Sequence, residues 1–210
     1  MAAALAHYKG SEVVVFALPR GGAPVADPIA TSLHAPLDLV LVRKIGVPYQ
    51  PELAMGAIAD GGHMIIARNE DVIDAVGVTQ AEFDVICERE SKEIERRRQL
   101  YLGHRSRPEV ERRVAIVVDD GVATGATTRA ALRAVRARRP NKLVLAVPVG
   151  PTDTIEDMRK EADEVVCLEA HRVFGAIGFF YSDFTQTTDQ EVIEILERHA
   201  AEKDGAGSRS

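Results

Sequence analysis

Short apolar runs alternate with longer amphipathic segments along most of the chain. Five runs are rich in β-branched and aliphatic residues: Val13 to Leu18, Leu37 to Val42, Val114 to Val118, Leu143 to Val147 and Glu164 to Leu168. Uninterrupted runs of this kind are typical of strands covered on both faces. Helical segments separate most of them, over about residues 22–34, 125–139 and 152–162. This alternation predicts an α/β fold with an open, twisted, mainly parallel sheet of about five strands flanked by helices.

One segment interrupts the alternation between the second and third runs. Residues Leu53 to Ala59 and His63 to Arg68 have strand character, and Asp60-Gly61-Gly62 joins them. Glycine reaches positive φ at little cost, so this step favours a tight turn. The pattern predicts a β-hairpin outside the main sheet, over about residues 53–68.

A long helix is predicted over about residues 79–102. Thr79 and Glu82 have the spacing of a capping box, and Gly103 is placed to end the helix. The run of arginines at 96–98 favours a solvated, salt-bridged face over a phosphate site, because acidic residues lie one turn away. A thin apolar stripe on the same helix is a candidate surface for a homodimer.

Composition is typical of a globular protein, and the net charge bears on which partners the chain can bind. It has 210 residues, of which 46% are hydrophobic and 28% charged, and its net charge is -6. A net negative charge disfavours a general nucleic-acid binder, which needs a basic face, but it is compatible with a local anion pocket. Residues 1–201 are predicted to form one domain, and the small polar segment 202–210 is predicted to be a disordered tail or linker.

The sequence gives no sign of export, a membrane span or a cysteine-based site. The first ten residues do not resemble a signal peptide, and no apolar run approaches the roughly 20 residues that cross a bilayer. Cys87 and Cys167 lie far apart without C-x-x-C spacing, which favours reduced thiols over a disulfide or a zinc site. We expect a cytoplasmic protein.

The strongest signal for chemistry follows the third apolar run. It reads Val117-Val118-Asp119-Asp120-Gly121-Val122-Ala123-Thr124-Gly125-Ala126-Thr127-Thr128. Ligands of open parallel sheets lie beyond the carboxyl ends of the strands, which is where this loop is predicted. Glycines let the backbone approach a ligand, and free amides at the start of a helix attract an anion. The amides of Ala123 to Thr127 and the hydroxyls of Thr124, Thr127 and Thr128 are therefore candidate phosphate ligands.

The two carboxylates of this loop need a different partner, since they would repel a phosphate. Asp119 and Asp120 can accept hydrogen bonds from vicinal hydroxyls or hold a hydrated Mg²⁺. A loop with an anion site at one end and hydroxyl acceptors at the other matches a ribose 5-phosphate. Neither the G-x-x-x-x-G-K-[ST] nor the G-x-G-x-x-G motif is present. A helix start capped by one aspartate, with no ligand, is the remaining alternative.

This block resembles the ribose-phosphate signature of the type I phosphoribosyltransferases. The resemblance covers roughly residues 11–195 and is strongest to a poorly characterised group, some members of which are fused to hydrolase domains. It implies a small C-terminal hood over about residues 171–187, which reads the acceptor base. It also implies that the hairpin 53–68 is the flexible loop that closes over the ligands.

The resemblance assigns roles to further residues. Arg20, Gly21 and Gly22 follow the first strand, where similar enzymes contact the diphosphate. Arg43 and Lys44 are expected at the end of the second strand, facing the diphosphate. Phe179 lies in the aromatic segment 174–184 and is the candidate for stacking on the base; an ordinary core cluster is the alternative.

The resulting hypothesis is a Mg²⁺-dependent enzyme that uses phosphoribosyl diphosphate and a small nitrogen acceptor. Asp119, Asp120, Arg43 and Lys44 would be its catalytic residues, and the two aspartates would hold the metal. A module that binds such a ligand without turnover is an alternative, because fold does not fix activity. A regulatory or docking part for a fused hydrolase is a third reading. The chain begins close to its first strand, where related proteins often have residues that complete the base pocket.

Overall fold

A computed structural model describes the backbone of residues 1–206 and the side chains of residues 1–200. In chain order, the strands are β1 (Val13–Ala17), β2 (Leu37–Leu39), β3 (Leu41–Val47), β4 (Gln50–Asp60), β5 (Met64–Arg68), β6 (Val114–Val118), β7 (Lys142–Pro151) and β8 (Glu164–His171). The α-helices are α1 (Gly22–Leu33), α2 (Glu70–Val76), α3 (Gln80–Leu102), α4 (Ala126–Arg136), α5 (Thr152–Met158) and α6 (Asp189–Ala206). Short 3-10 helices cover Ala2–Tyr8 and Ile177–Phe180.

The main sheet has five parallel strands in the order β2-β1-β6-β7-β8. Each of the five predicted runs contributes one of them. The side chains of β1 are buried on both faces, as continuous apolar sequence requires when helices cover a sheet from both sides. Because β1 and β6 are neighbours and parallel, the loops that follow them emerge side by side.

The second apolar run does not form one strand, which corrects the prediction. Residues Leu37–Leu39 pair with β1, and the chain then leaves the main sheet to form β3, which pairs antiparallel with β4. The polar residues Arg43 and Lys44 explain the change, because a strand that carries them cannot be covered by apolar layers on both faces.

The predicted hairpin lies outside the main sheet and is part of a three-stranded sheet in the order β3-β4-β5. Its turn is at the predicted place, where the Gly62 amide donates to Asp60 Oδ1 at 2.9 Å and Gly62 has φ +134°. The sheet packs on α3 and α4. We call β3, β4 and β5 the second sheet.

The long helix matches its prediction closely. Thr79 and Glu82 form the reciprocal capping box, and Gly103 follows the last helical residue with φ +51°. The apolar stripe of α3 is buried against the second sheet and α6 of the same chain. The stripe therefore gives no support to the predicted homodimer.

Other boundaries differ from the sequence pattern. Helix α5 ends at Met158 rather than near residue 162, and α2 was not predicted. Helix α6 continues to Ala206, so the predicted tail 202–210 begins inside a helix, and residues 207–210 lie outside the described part of the chain. Across residues 1–206, no helix combines the length and the apolarity that a membrane crossing requires.

Candidate functional site

Two loops meet at the carboxyl ends of β1 and β6. The Leu18 amide donates to the carbonyl oxygen of Val118 at 2.9 Å, which joins the loops at their first residues. The Pro19-Arg20 peptide bond of the first loop is cis. Segments separated by about a hundred positions in the sequence thus share one edge of the sheet, as the parallel pairing of β1 with β6 dictates.

The contact between the loops depends on two glycines. A Cβ at position 21 would lie 1.9 Å from Oδ2 of Asp120, and a Cβ at position 22 would lie 2.6 Å from the carbonyl oxygen of Val118. Both distances are shorter than real carbon contacts. Positions 21 and 22 therefore favour glycine, because the acidic loop occupies the space that a side chain would take.

Burial makes the charged forms of the two acidic side chains, Asp119 and Asp120, unfavourable. The Asp120 amide donates to Asp119 Oδ1 at 2.9 Å. Burial, with the neighbouring Asp120 carboxyl second, raises the pKa of Asp119 well above its ordinary value. Burial also raises the pKa of Asp120. Hydroxyl donors or a cation at this place would remove part of the desolvation cost of the charged forms.

The predicted phosphate loop leads directly into α4. Gly125 precedes the helix with φ +76°, and no side chain caps the helix start. The first amides of a helix have no partner within it, so those after Gly125 face outward as anion donors. Residues Ala123, Thr124, Ala126 and Thr127 are exposed there.

Thr128 is placed differently from the other threonines. It is only 2% exposed and lies on the inner face of α4. Its hydroxyl is thus packed against the protein, whereas those of Thr124 and Thr127 face solvent. The hydroxyl of Thr128 as a ligand stays a prediction that this burial does not favour.

A cavity of about 550 Å³ opens beside the junction of the two loops. On the loop side it is lined by Arg20, Gly21 and Asp120, together with Pro24 and Val25 of α1. The opposite wall comes from the predicted hood segment and contains Tyr181, Asp183, Phe184, Thr185, Gln186 and Thr187. Its volume falls within the usual range for small-molecule sites.

Tyr181 ties the hood to the acidic loop. Its hydroxyl donates to the carbonyl oxygen of Asp120 at 2.5 Å. Burial, followed by the charges of Asp120 and Asp119, raises the pKa of Tyr181 to about 12, so the hydroxyl keeps its proton. The predicted hood contained Tyr181 to Thr187, but only Phe179 of the hood was predicted to contact a ligand, although the mixture of aromatic and polar residues there was the available signal.

Phe179, the sequence candidate for base stacking, lies apart from this cavity. It is 80% exposed and does not line the wall. The neighbouring Phe180 stacks on Phe174 at 5.0 Å and on His171 at 4.6 Å, which forms a separate aromatic cluster. The aromatic side chains at the cavity are those of Tyr181 and Phe184.

Arg43 and Lys44 are also away from this cavity. They lie within β3 rather than at the end of a main-sheet strand, which corrects their expected position. The Arg43 guanidinium is 2.7 Å from Glu90, a residue only 5% exposed, and Lys44 Nζ is 3.1 Å from Glu52. These groups line a different cavity of about 440 Å³. Their predicted role toward a diphosphate stays a prediction.

Arg20 reaches the cavity and has an acidic neighbour. Its guanidinium lies 3.6 Å from Oδ1 of Asp189, the first residue of α6. Tyr101, at the end of α3, donates its hydroxyl to the same carboxylate oxygen at 2.6 Å. These contacts hold Asp189 beside Arg20, which itself lines the cavity.

The donor set suits a divalent cation that the substrate helps to bind. Within the described residues, no three metal-binding side chains converge as a closed cage would require. Mg²⁺ is usually held by one or two carboxylates, with substrate phosphates and waters completing the octahedron. The adjacent carboxyls of Asp119 and Asp120, both disfavoured as unpaired anions by burial, fit that requirement.

Comparison with known proteins places the chain in a family. The phosphoribosyl transferase domain family matches residues 1–184. A protein of Mycobacterium tuberculosis, provisionally named a phosphoribosyl transferase, is 46% identical over 198 residues and is found in two strains. That alignment covers 94% of this chain and 44% of the relative, so the chain spans less than half the length of these relatives.

A solved structure gives the same result for the fold. The crystal structure of the protein TT1426 from Thermus thermophilus superimposes with a TM-score of 0.79 at 38% identity, covering 94% of this chain and 92% of that chain. These similarities agree with the sequence motif and with the junction of the two loops at the sheet edge. The chain is therefore a member of the phosphoribosyl transferase domain family.

Proposed function

We propose that the protein moves the 5-phosphoribosyl group from phosphoribosyl diphosphate to a nitrogen of a small acceptor, a nucleobase, with release of diphosphate. The observation that carries this proposal is the contact between the loops after β1 and β6, where Gly21 meets Asp120. This contact places Arg20, the acidic pair and the start of α4 at one edge of the sheet. An anion-binding helix start next to hydroxyl acceptors supports a ribose 5-phosphate ligand.

The phosphoribosyl group would bind along the acidic loop. The outward amides of Ala123 to Thr127 would hold the 5-phosphate, reinforced by the helix dipole. Asp119 and Asp120 would accept hydrogen bonds from the ribose hydroxyls. Those bonds would lower the raised pKa values of both carboxyls, so ligand binding and ionisation of the pair would support each other.

The diphosphate would lie toward the first loop. Arg20 lines the cavity next to Gly21, and its guanidinium can form a charge-assisted contact with a diphosphate oxygen. Asp119 and Asp120 would also hold Mg²⁺, which supplies positive charge to the leaving diphosphate when bound. Departure of diphosphate develops positive charge on the ribose, as in glycosyl transfer generally, and the nearby carboxylates would stabilise that charge.

The second sheet would exclude water from the site. In the structure, Arg43 and Lys44 belong to this sheet and are paired with Glu90 and Glu52. We propose that closure of the second sheet over the ligands exchanges these pairs for the diphosphate and keeps water from the reacting carbon.

The position of Arg43 and Lys44 also favours a second candidate function. A protein that binds phosphoribosyl diphosphate or a nucleotide without turnover would keep the acidic loop and Arg20 but would not need further cations at the site. The greater length of the relatives leaves room for a domain, such as the predicted hydrolase, that this module could regulate.

Calorimetric titration of phosphoribosyl diphosphate, with and without Mg²⁺, followed by a diphosphate-release assay over a panel of nucleobases, separates the two candidates. Mg²⁺-dependent binding with release for one base supports transfer. Binding without release for any base supports the non-catalytic module. The double variant Asp119→Asn, Asp120→Asn should remain folded and lose ribose 5-phosphate binding; unchanged affinity would contradict the assignment of this loop in both candidates.

A further inference from the structure

Arg20 shares its charge with the carboxylate of Asp189. The guanidinium lies 3.6 Å from Oδ1 of Asp189, which is too long for a hydrogen bond, and the two side chains are 33% and 46% exposed. The Tyr101 hydroxyl donates to the same oxygen at 2.6 Å. Asp189 therefore forms a close bond with Tyr101 and only a loose ion pair with Arg20.

The position of the Asp189 carboxylate is set by two helices. Tyr101, near the end of α3, is 4% exposed, and burial, followed by its bond to Asp189, raises its pKa to about 12, so its hydroxyl stays a donor at neutral pH. Asp189 is the first residue of α6. The Thr188 amide donates to Glu191 at 2.7 Å and the Glu191 amide donates to the Thr188 hydroxyl at 3.2 Å, which fixes the start of that helix.

Two other cations act on this pair of residues but are bonded elsewhere. The charge of Arg96 is felt by Asp189, and that of Arg97 is felt by Tyr101. Each of these arginines bonds Glu93 at 2.8 Å. Within the part of the chain that the structure describes, Arg20 is the one cation at ion-pair distance from Asp189.

Asp189 opposes the binding of an anion to Arg20. Its charge offsets part of that of the guanidinium and repels the anion directly. Because the pair is not closed to hydrogen-bond length, a phosphate oxygen can still bond the guanidinium. Without the Tyr101 bond, the carboxylate could turn toward Arg20 and form a charge-assisted hydrogen bond of about 2.8 Å, with which a phosphate would have to compete.

We propose that Asp189 lowers the affinity of Arg20 for the diphosphate and that Tyr101 limits this effect by holding the carboxylate away from the guanidinium. This inference rests on the proposed contact of Arg20 with the diphosphate. Asp189 and Tyr101 are positioning residues in it, since they act through Arg20. In the proposed reaction the diphosphate leaves after each transfer, and a moderate affinity favours its release.

A double-mutant cycle tests the inference, with inorganic diphosphate titrated calorimetrically into the full chain in the presence of Mg²⁺. Asp189→Asn keeps an oxygen for Tyr101 and removes the charge, so the Kd should fall about three- to tenfold. Tyr101→Phe should raise the Kd by about threefold or more, because the carboxylate is then free to close on Arg20. In the double variant Tyr101→Phe should add nothing to the effect of Asp189→Asn, since no charge remains to be held away.

Three controls distinguish this effect from a change in folding. Glu194→Gln removes an exposed charge from the same helix and should leave the Kd for diphosphate unchanged. The Kd for ribose 5-phosphate, which is proposed to bind at the start of α4, should change by less than about twofold in every variant. The difference between the wild type and Asp189→Asn should shrink at high salt. Unchanged or weaker diphosphate binding in Asp189→Asn, or additive effects in the double variant, would overturn the inference.

Arg20→Ala separates the failure of this inference from the failure of the proposed function. Loss of diphosphate affinity in Arg20→Ala, with no change in Asp189→Asn, would overturn the inference alone. No loss in Arg20→Ala would contradict the proposed contact of Arg20 with the diphosphate, and the inference with it. The expected pattern of Kd values without diphosphate release for any nucleobase would uphold the inference and contradict transfer.

Discussion

Gly21→Ala should separate ligand binding from folding. The new Cβ would lie 1.9 Å from Oδ2 and 2.6 Å from Cγ of Asp120. Ordinary contact begins at 3.4 Å, so the Asp120 carboxylate oxygen must retreat by about 1.5 Å. The backbone of Gly21, with φ −61° and ψ −30°, suits any L-residue, and the clashing atoms belong to the end of a side chain that can rotate.

The size of the effect follows from the groups involved. Alanine in an allowed conformation reduces the entropy of the unfolded chain, which offsets part of the clash, so the free energy of unfolding should change by less than about 1 kcal/mol. A carboxylate that moves away from a ribose hydroxyl loses a charge-assisted hydrogen bond of roughly 1.5–3 kcal/mol. The Kd for phosphoribosyl diphosphate should therefore rise roughly 10- to 150-fold.

Calorimetric titration with Mg²⁺ and thermal unfolding of the same samples provide the assay. Gly22→Ala is the contrasting variant, because its Cβ would lie 2.6 Å from the carbonyl oxygen of Val118 and 3.1 Å from Cα of Asp119. Those backbone atoms cannot rotate away, so that variant should lose about 1–3 kcal/mol of stability. Unchanged affinity in Gly21→Ala, or a loss of stability as large as in Gly22→Ala, would refute the reasoning.

The remaining predictions concern charged groups. Asp119→Asn should raise the melting temperature of the ligand-free protein at pH 7. Because the folded-state pKa of Asp119 is raised, the wild-type protein loses stability as the pH rises through that value. The melting temperatures of the two proteins should therefore converge below about pH 4, where the carboxyl is protonated in both the folded and the unfolded state. A difference in melting temperature that stays the same at all pH values would contradict this. Arg43→Ala should cost roughly 1–3 kcal/mol of unfolding free energy, since it removes a partner of the buried Glu90. Lys44→Ala should cost less than about 1 kcal/mol, because its partner is exposed; equal losses in urea unfolding would contradict the distinction.

Local patterns were sufficient where the cause of structure is local. The capping box of Thr79 and Glu82, the end of α3 at Gly103 and the glycine turn after Asp60 all depend on residues within a few positions of one another. The strand runs could be predicted because a β1 buried on both faces needs continuous apolar sequence. The acidic loop was singled out because its order of residue types matches a ligand motif more closely than a plain helix cap, and its ligand stays a prediction.

Prediction failed where a residue's position depends on distant parts of the chain. The hydrophobic pattern of the run that begins at Leu37 does not show that the run divides between two sheets. The division depends on strand pairing, because the first part pairs with β1 and the second part pairs with β4. The same division took Arg43 and Lys44 away from the cavity. Phe179 and Phe184 look alike in sequence, and only the path of the hood places Phe184 at the wall.

The sequence alone thus determined the class of fold, the order of most elements and the loop proposed to bind an anion, because hydrophobic period, turn residues and a sequence motif are properties of short segments. The tertiary structure decided which segments form the cavity. The contact of Gly21 with Asp120 and the hydrogen bond of Tyr181 to the same residue join segments far apart in the chain. Such contacts arise from strand order and packing, which no local pattern encodes.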